Sequence, residues 1–367
     1  MIARAQVGWR HGAEAALAML MVAVLLWAGG MLDAGALPSF AWRPAAEAQP
    51  AAPHLVKVLS HDGEIGTIAW SPDGTRIAGG GGLHRAVIVW DVRSGARAMN
   101  LNAEAGGVTA VGWSPDGKYL AAGRNFVRIM LKERVSINLW DARTGALVRN
   151  IPAPFPPVSA DNDVAALAWS PDSGHVAASY RNGAIVVHDP MTGAGVITIQ
   201  SPIPTGKPVV YSPDGRYIVT AGARGQDRIQ VYESRTGALV RGMTADDDLQ
   251  QVLAYSPDGK VLASSDRGTP RITIWDAVSG QPRRVLGAPT GDVRRFAFSP
   301  DGRWLASAGP SRAALIWAVG TGQIVQRLGD EADFVSVVAF RPDGRYLASA
   351  GGDFVRLWDL SSLRSTP

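Results

Sequence analysis

The chain has 367 residues, 46% of them hydrophobic and 19% charged, with a formal net charge of +4. That supply of apolar residues suits a large core, and charge is too sparse for a disordered chain. The absence of cysteine excludes disulfides, thiolate chemistry and cysteine-based zinc sites, and the arginines are spread along the chain rather than gathered in the run a nucleic-acid tail would show.

Arg4, Arg10 and His11 give a basic start, and Ala15 to Leu32 runs without a charge. Ala34-Gly35-Ala36 fits the small-x-small pattern of a cleavage site, with Ala46-Glu47-Ala48 as a second choice. Residues 1–36 therefore read as a signal peptide or, because the run is just long enough to cross a bilayer, as an uncleaved anchor helix. A buried helix of a cytosolic protein is the third reading. In the first two, positive charge stays cytoplasmic and the rest of the chain lies outside the cytoplasm: in the periplasm, or anchored to the inner membrane and facing it. Residues 37–53 are rich in Pro and Ala and read as a linker.

From residue 54 to 360 one unit recurs. Ser71-Pro72-Asp73-Gly74 returns at Ser114, Ser212, Ser256 and Ser299, and variants stand at Ser170-Pro171-Asp172-Ser173-Gly174 and Arg341-Pro342-Asp343-Gly344, mostly 42 to 44 residues apart. Pro presets φ, Asp bonds to nearby backbone and Gly accepts positive φ, so each copy predicts a tight turn between antiparallel strands. An aromatic residue precedes each copy (Trp70, Trp113, Trp169, Tyr211, Tyr255, Phe298, Phe340) and a short apolar strand follows. A third strand then ends in Trp90-Asp91, Trp140-Asp141, Trp275-Asp276 or Trp358-Asp359, and more loosely in His188-Asp189, Tyr232-Glu233 or Trp317-Ala318. A turn and a fourth strand complete the unit. The last copy has no convincing fourth strand, and residues 361–367 read as a tail. His54–Ser60 has the look of a fourth strand with no repeat before it, so it is expected to pair with residues 354–358, leaving no open sheet edge.

Seven units of four strands, each with a Trp-Asp end, resemble the WD-repeat (WD40) family of β-propellers. The resemblance implies an all-β fold: a seven-bladed propeller of four-stranded antiparallel blades, closed by an N-terminal strand and preceded by the signal or anchor helix. It makes Trp90, Trp140, Trp275, Trp317 and Trp358 core residues and Asp91, Asp141, Asp276 and Asp359 turn formers. One feature departs from the family. The Gly-His pair before the first strand of a blade is approached only by Ser60-His61. The loops there carry Asp163, Asp246, Asp247, Asp248, Asp292 and Asp333, and the loops after the second strands carry Arg85, Arg124, Arg181, Arg224, Arg267 and Arg312. In a propeller both loop sets share the top face. The arginines either pair with these aspartates, replacing the histidine network, or form a face for an acidic ligand.

The six histidines form no HExxH pair, there is no GxSxG elbow, and Gly79–Gly82 lacks the Lys-Ser/Thr of a phosphate loop. No catalytic, cofactor-binding or metal-binding residue is expected, and no nucleic acid. The expected function is a protein-interaction scaffold. The alternative is a ligand-binding propeller, or the non-catalytic subunit of a periplasmic enzyme. Two departures from regular spacing point to the site. The step from the end of the third strand to the next turn motif is 23 residues in five of six cases but 29 from Asp141 to Ser170. The step from turn motif to Trp-Asp is 17 to 20 in six blades but 26 in the second. Loops that lengthen on a repeat frame carry function. Arg124, Phe126, Arg128, Ile129, Met130, Leu131, Lys132 and Arg134, with Phe155 and Pro156, are the candidate partner-binding residues, the cations forming a rim for an acidic partner surface. Packing of the two insertions on each other is the alternative.

Overall fold

The computed structural model describes residues 52–364 apart from 82–85, 103–105, 126–134, 153, 156–162, 201–207, 222–228, 245–249, 267–269, 288–292, 310–312 and 330–333. Residues 1–36, expected to be a signal peptide or anchor, and most of the expected linker lie outside the described residues. Strand β1 (His54–Ser60) comes first. The first blade holds β2 (Thr67–Trp70), β3 (Arg76–Gly80), β4 (Ala86–Asp91) and β5 (Arg97–Asn102), and the second β6 (Val108–Trp113), β7 (Tyr119–Arg124), β8 (Val135–Asp141) and β9 (Leu147–Pro152). The third holds β10 (Val164–Trp169), β11 (Val176–Tyr180), β12 (Ala184–His188) and β13 (Gly195–Gln200), and the fourth β14 (Val209–Tyr211), β15 (Tyr217–Ala221), β16 (Ile229–Glu233) and β17 (Leu239–Met243). The fifth holds β18 (Gln250–Tyr255), β19 (Val261–Asp266), β20 (Arg271–Asp276) and β21 (Pro282–Gly287), and the sixth β22 (Arg295–Phe298), β23 (Trp304–Ala308), β24 (Ala314–Ala318) and β25 (Ile324–Leu328). The seventh is β26 (Val337–Phe340), β27 (Tyr346–Gly351) and β28 (Phe354–Asp359), completed by β1. The expected tail begins with one helical turn, α1 (Ser361–Arg364), whose Leu363 packs on the core between the sixth and seventh blades.

Both faces of each blade are covered by neighbours, so the middle strands are buried along their length, as in Val176–Tyr180 and Ala184–His188. Small residues such as Ala121, Ala122, Ala177 and Ala178 on the second strands let adjacent sheets approach. The core is accordingly a set of layers between blades. One joins Ala78, Val87 and Val89 of the first blade to Trp113, Leu120 and Trp140 of the second. The outer strands are exposed edges. Each carries a β-bulge opposite the Trp-Asp position, which disrupts the ladder where another chain could add a strand.

The turn motif is locked by a residue whose role its letter pattern does not disclose. Ser71 Oγ donates to Asp73 Oδ1 at 2.6 Å and accepts the Arg76 N–H at 2.9 Å, while Gly74 sits at φ +67°. The same serine bridge recurs at Ser114, Ser170, Ser212, Ser256 and Ser299. The two variant copies tie blades together. Ser173, at φ +62°, stands where other turns have glycine, and its Oγ accepts the Asp116 N–H of the second blade at 3.0 Å. Arg341 replaces the serine in the seventh blade. Its Nε donates to the Gly74 carbonyl of the first blade at 2.9 Å and its guanidinium lies 6.0 Å from the Trp70 ring. The aromatic residues before the turns work the same way: Trp70, Trp113 and Trp169 donate from Nε1 to the Ala339, Ala69 and Gly112 carbonyls of the preceding blades at 3.0, 3.2 and 3.0 Å.

Strand β1 pairs antiparallel with β28 from His54↔Asp359 to Ser60↔Phe354. The expected closure is therefore present, and the seventh blade is built from both ends of the repeat region.

Candidate functional site

The first insertion joins β7 to β8 within the second blade, and the second joins β9 to β10, from the second blade to the third. Of the candidate residues, Phe126, Arg128, Ile129, Met130, Leu131, Lys132, Arg134 and Pro156 lie outside the described residues. Arg124 and Phe155 do not, and both face inward. β7 continues through Arg124, so this side chain belongs to the packed sheet and not to the loop. It is 1% exposed, with Nη1 donating to Asn138 Oδ1 at 2.8 Å and Nη2 to the Gly106 carbonyl at 2.6 Å. Asn138 passes the network to Asn150 Oδ1 at 2.7 Å. The expectation of Arg124 on an exposed rim is thus corrected: it ties the loop before β6 to β7 and β8. Phe155 is half-buried and meets Tyr180 edge-on, with centroids 5.5 Å apart.

Below Phe155 runs a buried polar chain that crosses between blades. His188 Nε2 and the Tyr180 hydroxyl are 3.0 Å apart, the Tyr180 hydroxyl and Ser136 Oγ of the second blade are 3.3 Å apart, and Ser136 Oγ donates to the Ile151 carbonyl at 3.3 Å. Thr109 Oγ1 adds a second tie to the Val164 carbonyl at 2.7 Å. His188 occupies the position of the repeat tryptophan. The fifth to seventh blades there have Trp275, Trp317 and Trp358 donating to Ser264, Ser307 and Ser349 at 2.9, 2.9 and 2.8 Å. The third blade has Ala178 at the serine position and a histidine that turns to Tyr180 instead. The loose His188-Asp189 match was the sequence signal for this network. Tyr180 and Ser136, 44 residues apart, gave none.

Burial pushes the His188 imidazole down to about 4, against a smaller opposing effect of the Gly193 backbone, and pushes the Tyr180 hydroxyl well above its usual range. The unfolded chain takes up the His188 proton near pH 6.5, whereas the folded chain resists it down to about pH 4. Between these values the unfolded state binds more protons, so this contribution is full above pH 6.5 and is lost as pH falls through the window, by on the order of 3 kcal/mol. Urea midpoints between pH 7 and pH 4.5 are expected to fall for the parent and to change less for His188→Asn. Parallel curves would mean that His188 is not held neutral.

Of the Asp–Arg pairs expected on the top face, one lies among the described residues: Arg181 Nε is 3.3 Å from the buried Asp163 carboxylate. Arg85, Arg224, Arg267 and Arg312, with Asp246–Asp248, Asp292 and Asp333, lie outside them. The third-strand acids act as expected in turns. Asp91 accepts the Ser94 N–H and hydroxyl, both at 2.7 Å, and Asp141 accepts the Thr144 N–H at 2.7 Å. These bonds, led for Asp141 by a further one from the Thr144 hydroxyl at 2.7 Å, hold both carboxyls below the usual range. Asp276 and Asp359 accept from Ser279 N–H and Ser361 N–H in the same way. Among the described residues no group of three or more His, Asp or Glu side chains is placed to hold a metal ion.

The family model "WD domain, G-beta repeat" matches residues 53–91, 96–129, 280–317 and 322–359, which are copies on both sides of the ring seam. The intervening blades repeat the same four-stranded sheet and serine-locked turn. Four of the chain's repeats are WD40 repeats, and its sheets form a seven-bladed β-propeller. The stretch of this ring that the family model leaves unmatched begins in the second-blade insertion and includes the His188 and Tyr232 substitutions. No curated protein matches the chain.

Proposed function

We propose that this propeller is a non-catalytic protein-interaction scaffold that works outside the cytoplasm, in the periplasm or on the outer face of the inner membrane, and holds its partner on the top face between the second and third blades. The observation that carries the reading is the contrast between a regular frame and one irregular junction. Both long insertions belong to the sequence joining the strands of this junction, and the described strands there are tied by the Arg124–Asn138–Asn150 and His188–Tyr180–Ser136 networks. A rigid floor under lengthened loops is how repeat frames present recognition residues. Phe126, Ile129, Met130 and Leu131 supply the apolar contact, and Arg128, Lys132 and Arg134 favour an acidic partner surface. Arg124 and Phe155 position the loops from below. The N-terminal pattern of basic residues and an uncharged apolar run supports export.

A photo-crosslinking residue at Met130 tests the site in cells, with one at Val278, a 79%-exposed turn residue on the opposite face, as control. A discrete adduct is expected from Met130 and lost with Phe126→Ser; equal adducts from both positions would move the site elsewhere. An alkaline phosphatase fused after Pro367 is expected to be active. A stable, inactive fusion would contradict export.

A further inference from the structure

The turns between first and second strands and those between third and fourth strands share the face opposite the insertions. There, among the described residues, three of the seven junctions are bridged from one register position of the outer strands. Lys57, completing the seventh blade, donates from Nζ to the Val92 and Arg93 carbonyls of the first at 3.0 and 2.6 Å. Arg241 of the fourth blade donates to the Ala277 and Val278 carbonyls of the fifth. Arg284 of the fifth donates to the Thr321 carbonyl of the sixth at 2.5 Å. Between the first and second blades the position is Met99, and Arg76 supplies the donor instead, to the Ala142 carbonyl at 2.8 Å.

Between the third and fourth blades neither device is present. The outer-strand position is Ile197, opposite Val187 as Arg241 is opposite Val231, and the counterpart of Arg76 is His175. The Ser234 and Arg235 carbonyls, equivalent to those of Val92 and Arg93, receive no side-chain donor among the described residues. The junction contains a crevice of about 800 Å³, against about 330 Å³ where Arg241 lies and about 340 Å³ where Arg76 lies. Ile197, Val187 and Tyr211 make its wall, with Asp172, Asp214 and Glu233 at its edge. Arg216, also at the edge, is 3.7 Å from the Asp214 carboxylate.

We infer that this crevice receives a lysine or arginine side chain from an extended segment of a partner protein, in the place that the ring's own Lys57 and Arg241 take at other junctions. The aliphatic stem would lie on Ile197 and Tyr211, and the cationic head would donate to the Ser234 and Arg235 carbonyls. Amphipathic cations suit such a slot because stem and head are satisfied separately. The site is on the opposite face from the insertions and does not depend on the reading given for them.

The test uses the full chain and a fluorescein-labelled Ser-Ala-Arg-Ala-Ser peptide, with its citrulline counterpart as an uncharged match. Saturable polarisation is expected for the arginine peptide, with about tenfold weaker binding of the citrulline peptide. Ile197→Arg places a plug from within. It is expected to abolish peptide binding while keeping a thermal midpoint at or above the parent's, and Ile197→Lys is expected to do the same. Equal binding of the two peptides, no saturation up to about 10 mM, or binding that survives in a folded Ile197→Arg chain would each overturn the proposal. A lowered midpoint in both plugged variants would also overturn it, because a slot shaped for a cation accepts one.

Discussion

Deleting His54–Ser60 is expected to abolish the cooperative unfolding transition of the propeller. This strand serves two blades at once. Its backbone completes the seventh blade through the ladder with β28. Leu59, 1% exposed, lies in a core that joins Ile65, Ile68, Trp70 and Trp90 of the first-blade side to Val337, Ala348 and Val355 of the seventh. The Ser60 carbonyl accepts the Trp90 Nε1–H at 3.2 Å, and Lys57 holds the first blade's outer turn. Losing Leu59 alone is worth about 2–5 kcal/mol. The ladder, the exposed β28 edge and the orphaned Trp90 add to a loss that reaches the whole stability of a typical domain, about 5–15 kcal/mol. Urea titration followed by tryptophan fluorescence is expected to lose its single sigmoid. A deleted chain with the parent's midpoint would mean that the ring is closed some other way.

Trp275→Ala is expected to cost about 3–5 kcal/mol. Trp275 is 2% exposed and packs with Val219, Val231 and Met243 of the fourth blade and Leu253 and Leu262 of its own. Truncation opens a cavity between two rigid sheets that cannot collapse together without moving the ring. Trp275→Phe isolates the polar part. It keeps most of the packing but leaves the Ser264 hydroxyl, itself fully buried, without the indole donor, at about 1–3 kcal/mol. Denaturation midpoints are expected in the order parent, Trp275→Phe, Trp275→Ala. A loss below about 1 kcal/mol for Trp275→Ala would place this side chain outside the core.

What the sequence could carry was set by how local each feature is. Turns built from Ser, Pro, Asp and Gly recur within four residues, so seven copies in phase fix blade number and strand order. The same counting leaves one strand over before the first unit and the last unit one strand short, and that match makes the pairing of His54–Ser60 with Phe354–Trp358 legible. Side-chain direction at a strand end was not legible. Arg124 reads as a loop cation until β7 is seen to run through it. Contacts between blades were not legible either. Tyr180 and Ser136 meet because two sheets face each other, and Arg341 replaces a motif serine because its target, Gly74, lies across the seam. The Ile197 crevice becomes visible only when the register-equivalent Lys57, Arg241 and Arg284 are placed beside it.

Closure by β1 is tested most directly by disulfide formation, which the cysteine-free chain makes clean. Val58 stands opposite Arg356 in the β1–β28 ladder, and antiparallel partners fall within the Cα separation a disulfide accepts, about 4.4–6.8 Å. The closed ring predicts that Val58→Cys with Arg356→Cys oxidises to a single intramolecular bridge in the native protein and not in urea, whereas Val58→Cys with Gln326→Cys, on the outer strand of the sixth blade, stays reduced. A first pair that stays reduced, or a second that bridges equally well, would contradict it.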